Sequence, residues 1–113
     1  MPENLVCEGL SVAPNVIETI VSIATERTEG VAYVGGLPVV GAAALLKVRA
    51  SGVEVSVDES GIAVGVHLTA YHGVKLRELG AAVQEAVADA LGAQLGLTRV
   101  HVDVFVDGLE FAA

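Results

Sequence analysis

Apolar residues recur along this chain with two different periods, and the changes from one period to the other predict the order of its elements. From Val16 the apolar positions lie three and four residues apart, which is typical of one face of a helix. Pro14 suits the first turn of that helix, because the N–H that proline lacks would be unpaired there. Gly30 is placed to close it. The same spacing returns further on, which predicts a second helix with apolar positions at Leu76, Leu79, Val83, Val87, Ala90 and Leu91.

Strict alternation of apolar and polar residues predicts strands between and around these helices. The stretch 8–12 suits a short first strand, and the turn "DESG" at 58–61 joins two alternating stretches into a hairpin. A last strand alternates over 100–106. The apolar face of these three longer strands is predicted to consist of Val53, Val55, Val57, Ile62, Val64, Val66, Leu68, Ala70, Val100, Val102, Val104 and Val106.

The resulting order is β-α-β-β-α-β, which predicts one small α+β domain over residues 1–113. We expect a mostly antiparallel sheet with both helices on one face, as in the ferredoxin-like fold. The order of elements along a chain does not determine the order of strands in a sheet. A related open sandwich is therefore the alternative.

Charge and composition narrow the class of protein. Fourteen acidic against six basic residues give a formal net charge of −8, which argues against nucleic acid and against unaided adhesion to an anionic membrane. The single Cys7 cannot form an internal disulfide, which fits a reducing compartment. No signal peptide is recognisable, and no apolar run approaches the roughly 18 residues that span a bilayer. These features predict a cytoplasmic protein without direct membrane insertion.

The apolar stretch "VGGLPVVGAAALLKV", Val34–Val48, invites three interpretations. A phosphate-binding loop is excluded, because Ala42 and Ala43 stand where Lys and Ser or Thr would follow the second glycine. A membrane-surface helix would need a basic face opposite bulky apolar groups, which this stretch lacks. It is predicted either to pack on the domain's own core or to form an exposed patch for a partner.

The sheet face turned away from the predicted helices is the candidate site. Phe105 is a large apolar group on this nominally wet face, and Ala63 and Gly65 are small enough to let another surface approach. We therefore predict a partner interface formed by Ala63, Gly65, His67, Arg99, His101 and Phe105, on the face that Thr69 and Asp103 are also predicted to share.

Two other kinds of site have weaker support in the sequence. A metal site would use His67, His101 and Asp103, but no ligand-spacing signature requires it. No serine has the context of a nucleophile elbow, and Glu78 and Glu85 suit a solvated helix face. We expect no catalytic residues and no cofactor. A small-ligand or metal-binding regulatory domain is the alternative function.

The order of motifs resembles the alkaline-shock-protein family of Gram-positive bacteria, also described as envelope-stress-response proteins. The similarity is carried by "LSVAPNVIETIVSIATERTEGV", "GVEVSVDESGIAVGVHLTAYHGVKL", "VQEAV" and "GLTRVHVDVFVDGLEF". Asp103 and Phe105 depart from it, since the family often has Asn and His there. The resemblance implies a cytoplasmic, non-enzymatic, stress-linked protein that self-associates. It also implies that a separate anchor protein can hold it under the membrane, and, from members encoded near lipid-metabolism enzymes, a link to lipid metabolism.

Overall fold

The computed structural model describes residues 5–7, 10–35, 52–58 and 61–111. The predicted α+β class and the order of the main elements are confirmed, and two short strands, the first and the third, are added to them. The elements in chain order are β1 Leu5–Cys7, β2 Leu10–Val12, α1 Pro14–Glu26, β3 Val31–Val34, β4 Val53–Asp58, β5 Gly61–Tyr71, α2 Leu76–Leu95 and β6 Val100–Glu110.

The long strand β5 organises the main sheet. β3 and β4 both pair with one edge of β5 and are antiparallel to it. β6 pairs with the other edge and is parallel to β5, from Ile62 opposite Val100 to Tyr71 opposite Glu110. The helix α2 makes the crossover that a parallel pair requires. β1 and β2 form a separate two-stranded antiparallel sheet.

β3 and β4 lie in line, as two parts of one edge. The amide of Gly35 donates to the carbonyl oxygen of His67 at 2.6 Å, and the amide of His67 donates to the carbonyl oxygen of Gly52 at 2.7 Å. The hydrogen bonding with β5 therefore stops after β3 and resumes before β4 at the same residue of β5, His67. Of the stretch Val34–Val48, only Val34, which packs against the core, and buried Gly35 are described. The two interpretations of the remainder lie outside the described residues.

Both helices cover the same face of the sheet, as predicted. The alternating positions of β5 from Ile62 to Ala70 are buried, and so are Val53 and Val102. Leu79, Val83, Val87 and Leu91 supply the buried side of α2. The alternation of apolar and polar residues in the strands thus separates a covered face from an open one.

The helix ends differ in part from the prediction. Pro14 begins α1, and Ala13 before it gives no side-chain cap. The helix ends at Glu26, so Gly30 does not close it and instead takes a left-handed φ of 100° in the turn before β3. Gly96 closes α2 with a φ of 70°. Among the described residues, no helix combines the length and apolarity that a membrane crossing needs.

Candidate functional site

The open face is the surface of the main sheet that turns away from α1 and α2. Strand alternation and exposure place on it Glu54 and Ser56 of β4, Ala63, Gly65 and His67 of β5, and His101, Asp103, Phe105 and Asp107 of β6. The side chains of β6 on this face are exposed, whereas those of β5 in the middle of the sheet are half-buried. On the open face, the residues of β5 are therefore less accessible to solvent than those of β6 beside them.

His67 and Phe105 form the centre of this face. They are direct neighbours in the parallel register of β5 and β6, and their rings stack with centroids 4.6 Å apart and an angle of 15° between the planes. Phe105 remains 43% exposed. A large apolar ring that stacks on a neighbouring side chain is thus partly presented to solvent on the open face.

Gly65 makes room for this arrangement. A Cβ atom added to Gly65 would lie 3.5 Å from Cε2 of Phe105 and 3.3 Å from Oε1 of Glu54. The space above Gly65 is thus bordered by side chains of its own chain. Gly65 thus lies between the side chains of Phe105 and Glu54 on the open face, where it stays a predicted interface residue.

Both ring nitrogens of His67 meet carboxylates. Its Nδ1 lies 2.7 Å from Oδ2 of Asp107, and its Nε2 lies 3.3 Å from Oε1 of Glu54. Burial lowers the pKa of His67, but the hydrogen bonds to Asp107 and Glu54 and the charges of both carboxylates outweigh it, so the pKa is raised above its ordinary value. The imidazolium form, which has two N–H donors, suits both contacts.

His101 and Asp103 form a second, separate pair on β6. His101 Nε2 lies 3.1 Å from Asp103 Oδ1, and both side chains are largely exposed. His101 stands opposite Ala63 in the register, four residues before the position opposite His67. At 3.3 Å per residue the two histidines are about 13 Å apart along the strands. The structure therefore does not bring His67 to the pair formed by His101 and Asp103.

No three His, Cys, Asp or Glu side chains within the described part of the chain are grouped so that they could hold a metal ion. The carboxylates of Glu54 and Asp107 contact opposite nitrogens of the His67 ring, so these three groups do not converge on one point.

Thr69 does not lie on the accessible part of the open face, contrary to the sequence analysis. It is 1% exposed, and its hydroxyl donates to the carbonyl oxygen of Gly35 at 3.1 Å. In the sheet Thr69 lies between Tyr33 of β3 and Gly108 of β6, and alternation along the chain cannot anticipate these neighbours. Arg99 is exposed, as the predicted interface requires, and precedes β6.

Two residues of the site were missed by the sequence analysis. Glu54 and Asp107 fall on the open face by alternation alone, so the signal for their placement is present in the sequence. Their contacts with His67 depend on the strand register and on the extra residue that β6 carries at Asp107, between the pairs Leu68–Val106 and Thr69–Gly108. A second histidine–phenylalanine stack, His72 on Phe111, lies beyond the end of β6 with centroids 4.6 Å apart.

Residues 5–111 match the model of the alkaline shock protein family, which is described as having a cell envelope-related function. The chain belongs to this family. The match confirms the resemblance stated above.

Two curated proteins, both named as uncharacterized proteins, are similar to this chain. YqhY of Bacillus subtilis (strain 168) is 30% identical over 104 residues, which cover 90% of this chain and 77% of YqhY. Spy1614 of Streptococcus pyogenes serotype M6 is 39% identical over 61 residues, which cover 54% of this chain and 50% of Spy1614. Membership of the alkaline shock protein family therefore indicates a cell envelope-related function.

Among solved structures, this member of the alkaline shock protein family is similar to the CTD of MamM. The copper form matches with a TM-score of 0.52 and 16% identity, covering 88% of this chain and 87% of that one. The MamM CTD of residues 215–293 matches with a TM-score of 0.50 and 17% identity, covering 81% and 96%. At such identities the likeness shows the fold alone.

Proposed function

We propose that this chain is a non-enzymatic, envelope-related protein that acts through protein contacts, and that its open face binds a second copy of the chain. The observation that carries the proposal is Phe105 of β6, which is 43% exposed on the open face beside the central strand β5. Large apolar groups held outward on rigid strands are typical of contact surfaces.

The Phe105 ring is already ordered before any partner arrives. It stacks on His67 and lies against the Cβ-free surface of Gly65. Immobilising a free side chain on binding costs roughly 0.5–1.5 kcal/mol, and this cost is reduced where the ring has one orientation in advance. The open face is thus prepared for contact at its apolar centre.

A second copy of the chain suits the charges around that centre. The face carries acidic groups at Glu54, Asp103 and Asp107 and basic candidates at His67 and His101. A two-fold contact places one region of the face against a different region of the partner's face, so groups of opposite sign can meet. The overall charge of −8 opposes association, so we expect self-association to strengthen as salt screens that repulsion.

The proposed cellular role is supported by the family description, a cell envelope-related function. An envelope-related domain whose contacts are made by a sheet face would reach the membrane through another protein, such as a membrane anchor. In this role self-association multiplies the number of anchor contacts, and a stress response would act by changing the amount of assembled protein.

The test is light scattering after size-exclusion chromatography, over a concentration series of the full chain and two variants. Phe105→Glu places a charge at the centre of the open face. Phe111→Glu is the matched control, because Phe111 is 73% exposed beyond the end of β6. We expect the wild type and Phe111→Glu to grow beyond the 11.5 kDa monomer, while Phe105→Glu stays monomeric and still unfolds in a single cooperative transition.

Two results would contradict the proposal. Equal assembly of Phe105→Glu and the wild type would remove Phe105 from the interface. A wild-type chain that is strictly monomeric at every concentration and salt level would exclude self-association.

A further inference from the structure

We propose that His67 is a proton-dependent clip that holds the open face in its contact-ready form, joining Glu54 of β4 to Asp107 of β6 beneath the ring of Phe105. This inference rests on the proposed function for its consequence, the regulation of self-association. The clip itself is a property of the folded monomer.

The geometry places His67 between three groups from two other strands. Glu54 reaches it from the β4 side, and Asp107 and Phe105 reach it from β6. Asp107 is the extra residue at the register shift of β6. Extra residues of this kind commonly redirect a side chain. Here the Asp107 carboxylate points toward His67, the β5 residue that lies opposite Phe105.

Protonation decides whether this arrangement is satisfied. The imidazolium has two N–H donors, one for each carboxylate. A neutral imidazole has a single N–H, so one ring nitrogen then presents a lone pair to a carboxylate oxygen. Loss of the proton also changes the group of His67, Glu54 and Asp107 from a net charge of about −1 to about −2, with both carboxylates ionised. The neutral form therefore weakens the strand-to-strand contact and makes the face more acidic.

The other charged and titratable groups around His67 are consistent with this assignment. Asp103, the next acid on β6, is engaged by His101. β3 contributes Tyr33, which pairs with Thr69 two residues beyond His67, and no charged residue. The helices lie on the other face of the sheet. Within the part of the chain that the structure describes, Glu54 and Asp107 are thus the charged side chains in contact with the ring, and their hydrogen bonds and charges raise its pKa.

His101 gives a matched comparison on the same face. It has one carboxylate partner, from its own strand, and it is more exposed than His67, with 72% against 31% of the side chain accessible. Because His101 and Asp103 both lie on β6, the contact between them links no other strand. A variant of His101 therefore changes the histidine content and charge of the face without changing the clip.

The experiment is an NMR titration of the histidine and phenylalanine rings of the full chain, at a concentration where light scattering finds monomer. We expect the pKa of His67 to lie above the ordinary histidine value and the Phe105 ring resonances to shift with the same midpoint. Asp107→Asn and Glu54→Gln should each lower that midpoint, and His101→Gln should leave it unchanged. Phe105 ring resonances that do not shift with the titration of His67, or a midpoint that is unchanged in Asp107→Asn, would contradict the proposed clip.

The regulatory consequence is read separately, from the dissociation constant of self-association between about pH 6 and pH 9. We expect the affinity to fall by on the order of tenfold or more as the pH rises, in the wild type and in His101→Gln, because each of the two His67 side chains in a dimer contributes about tenfold for every unit by which association raises its pKa. His67→Gln should show no such step. A chain that is monomeric throughout would refute the proposed self-association, while the monomer titration would still decide the clip. Association that persists without a His67-dependent step would refute the regulation.

Discussion

Gly35 and Gly52 touch across the point where the edge of the main sheet is interrupted. A Cβ atom added to Gly52 would lie 2.8 Å from both the amide nitrogen and the Cα of Gly35. Both glycines have left-handed φ angles, 102° and 71°, and both hydrogen-bond the backbone of His67. β3 and β4 can therefore act as one edge strand of β5, although sixteen residues separate the two glycines in the sequence.

Gly52→Ala is expected to destabilise the domain by about 2–4 kcal/mol, because it combines left-handed strain with a backbone clash. Gly73→Ala is the matched control: its φ of 94° imposes similar strain, but nothing lies within 4 Å of the added methyl group. We expect a cost of about 1 kcal/mol there. Urea unfolding of both variants measures the difference. Equal losses would mean that the contact between Gly35 and Gly52 is not needed for the fold.

Most of the fold was predictable because burial on one face imposes a period. One core is formed by the alternating valines of β5 and β6 and by the helically spaced residues from Leu79 to Leu91. Both patterns are visible in the sequence because both sets of residues are buried in that core. The candidate site depended on different information. The stack of His67 on Phe105 requires the parallel register of β5 and β6, and the contact with Asp107 requires the shift beyond Leu68. Register between distant strands is set by tertiary packing, so alternation along the chain identified the face but not its contacts.

The stability of the domain should depend on pH through His67. Its pKa is raised in the folded state, so its contribution is present in full below the unfolded value of about 6.5 and is lost as pH rises through the folded pKa. The contacted carboxylates of Glu54 and Asp107 are 59% and 42% exposed, so we expect a contribution of only about 0.5–1 kcal/mol.

Urea unfolding of the wild type and His67→Gln at about pH 6 and about pH 9 measures this contribution. The two proteins should differ at the lower pH and converge at the higher one. His101→Gln should follow the wild type at both. A constant difference between the wild type and His67→Gln would show that the side chain acts through packing alone.

Substitution of Leu91 in α2 tests how much the packing of this helix against the sheet contributes to the stability of the domain. It is 0% exposed, whereas Leu76 at the start of the same helix is 42% exposed. Leu91→Ala should cost about 2–5 kcal/mol because it leaves a cavity against the strands, and Leu76→Ala should cost less than about 1 kcal/mol. Thermal and urea unfolding of the pair provide the measurement. Similar costs at both positions would contradict the packing of α2 described above.

Replacement by valine is expected to have opposite effects on stability at two buried threonines. Thr69 and Thr25 are 1% and 0% exposed. The Thr69 hydroxyl donates to the Gly35 carbonyl oxygen, whereas the Thr25 hydroxyl has no hydrogen-bond partner among the residues that the structure describes. The hydroxyls of Thr19 in α1 and Thr28 just after it do donate to the carbonyl oxygens of Asn15 and Ala24, so Thr25 differs from its neighbouring threonines.

Replacing a hydroxyl by a methyl group is favourable where the hydroxyl is buried without a partner and unfavourable where it is paired. Valine and threonine have similar helix propensities, so the comparison at Thr25 is not dominated by the backbone. We expect Thr25→Val to stabilise the domain by about 1 kcal/mol. Thr69→Val should destabilise it by about 1–2 kcal/mol, because the Gly35 carbonyl at the end of β3 then loses its hydroxyl donor. Urea unfolding at one pH decides both, and a loss of stability in Thr25→Val would show that its hydroxyl is satisfied in solution.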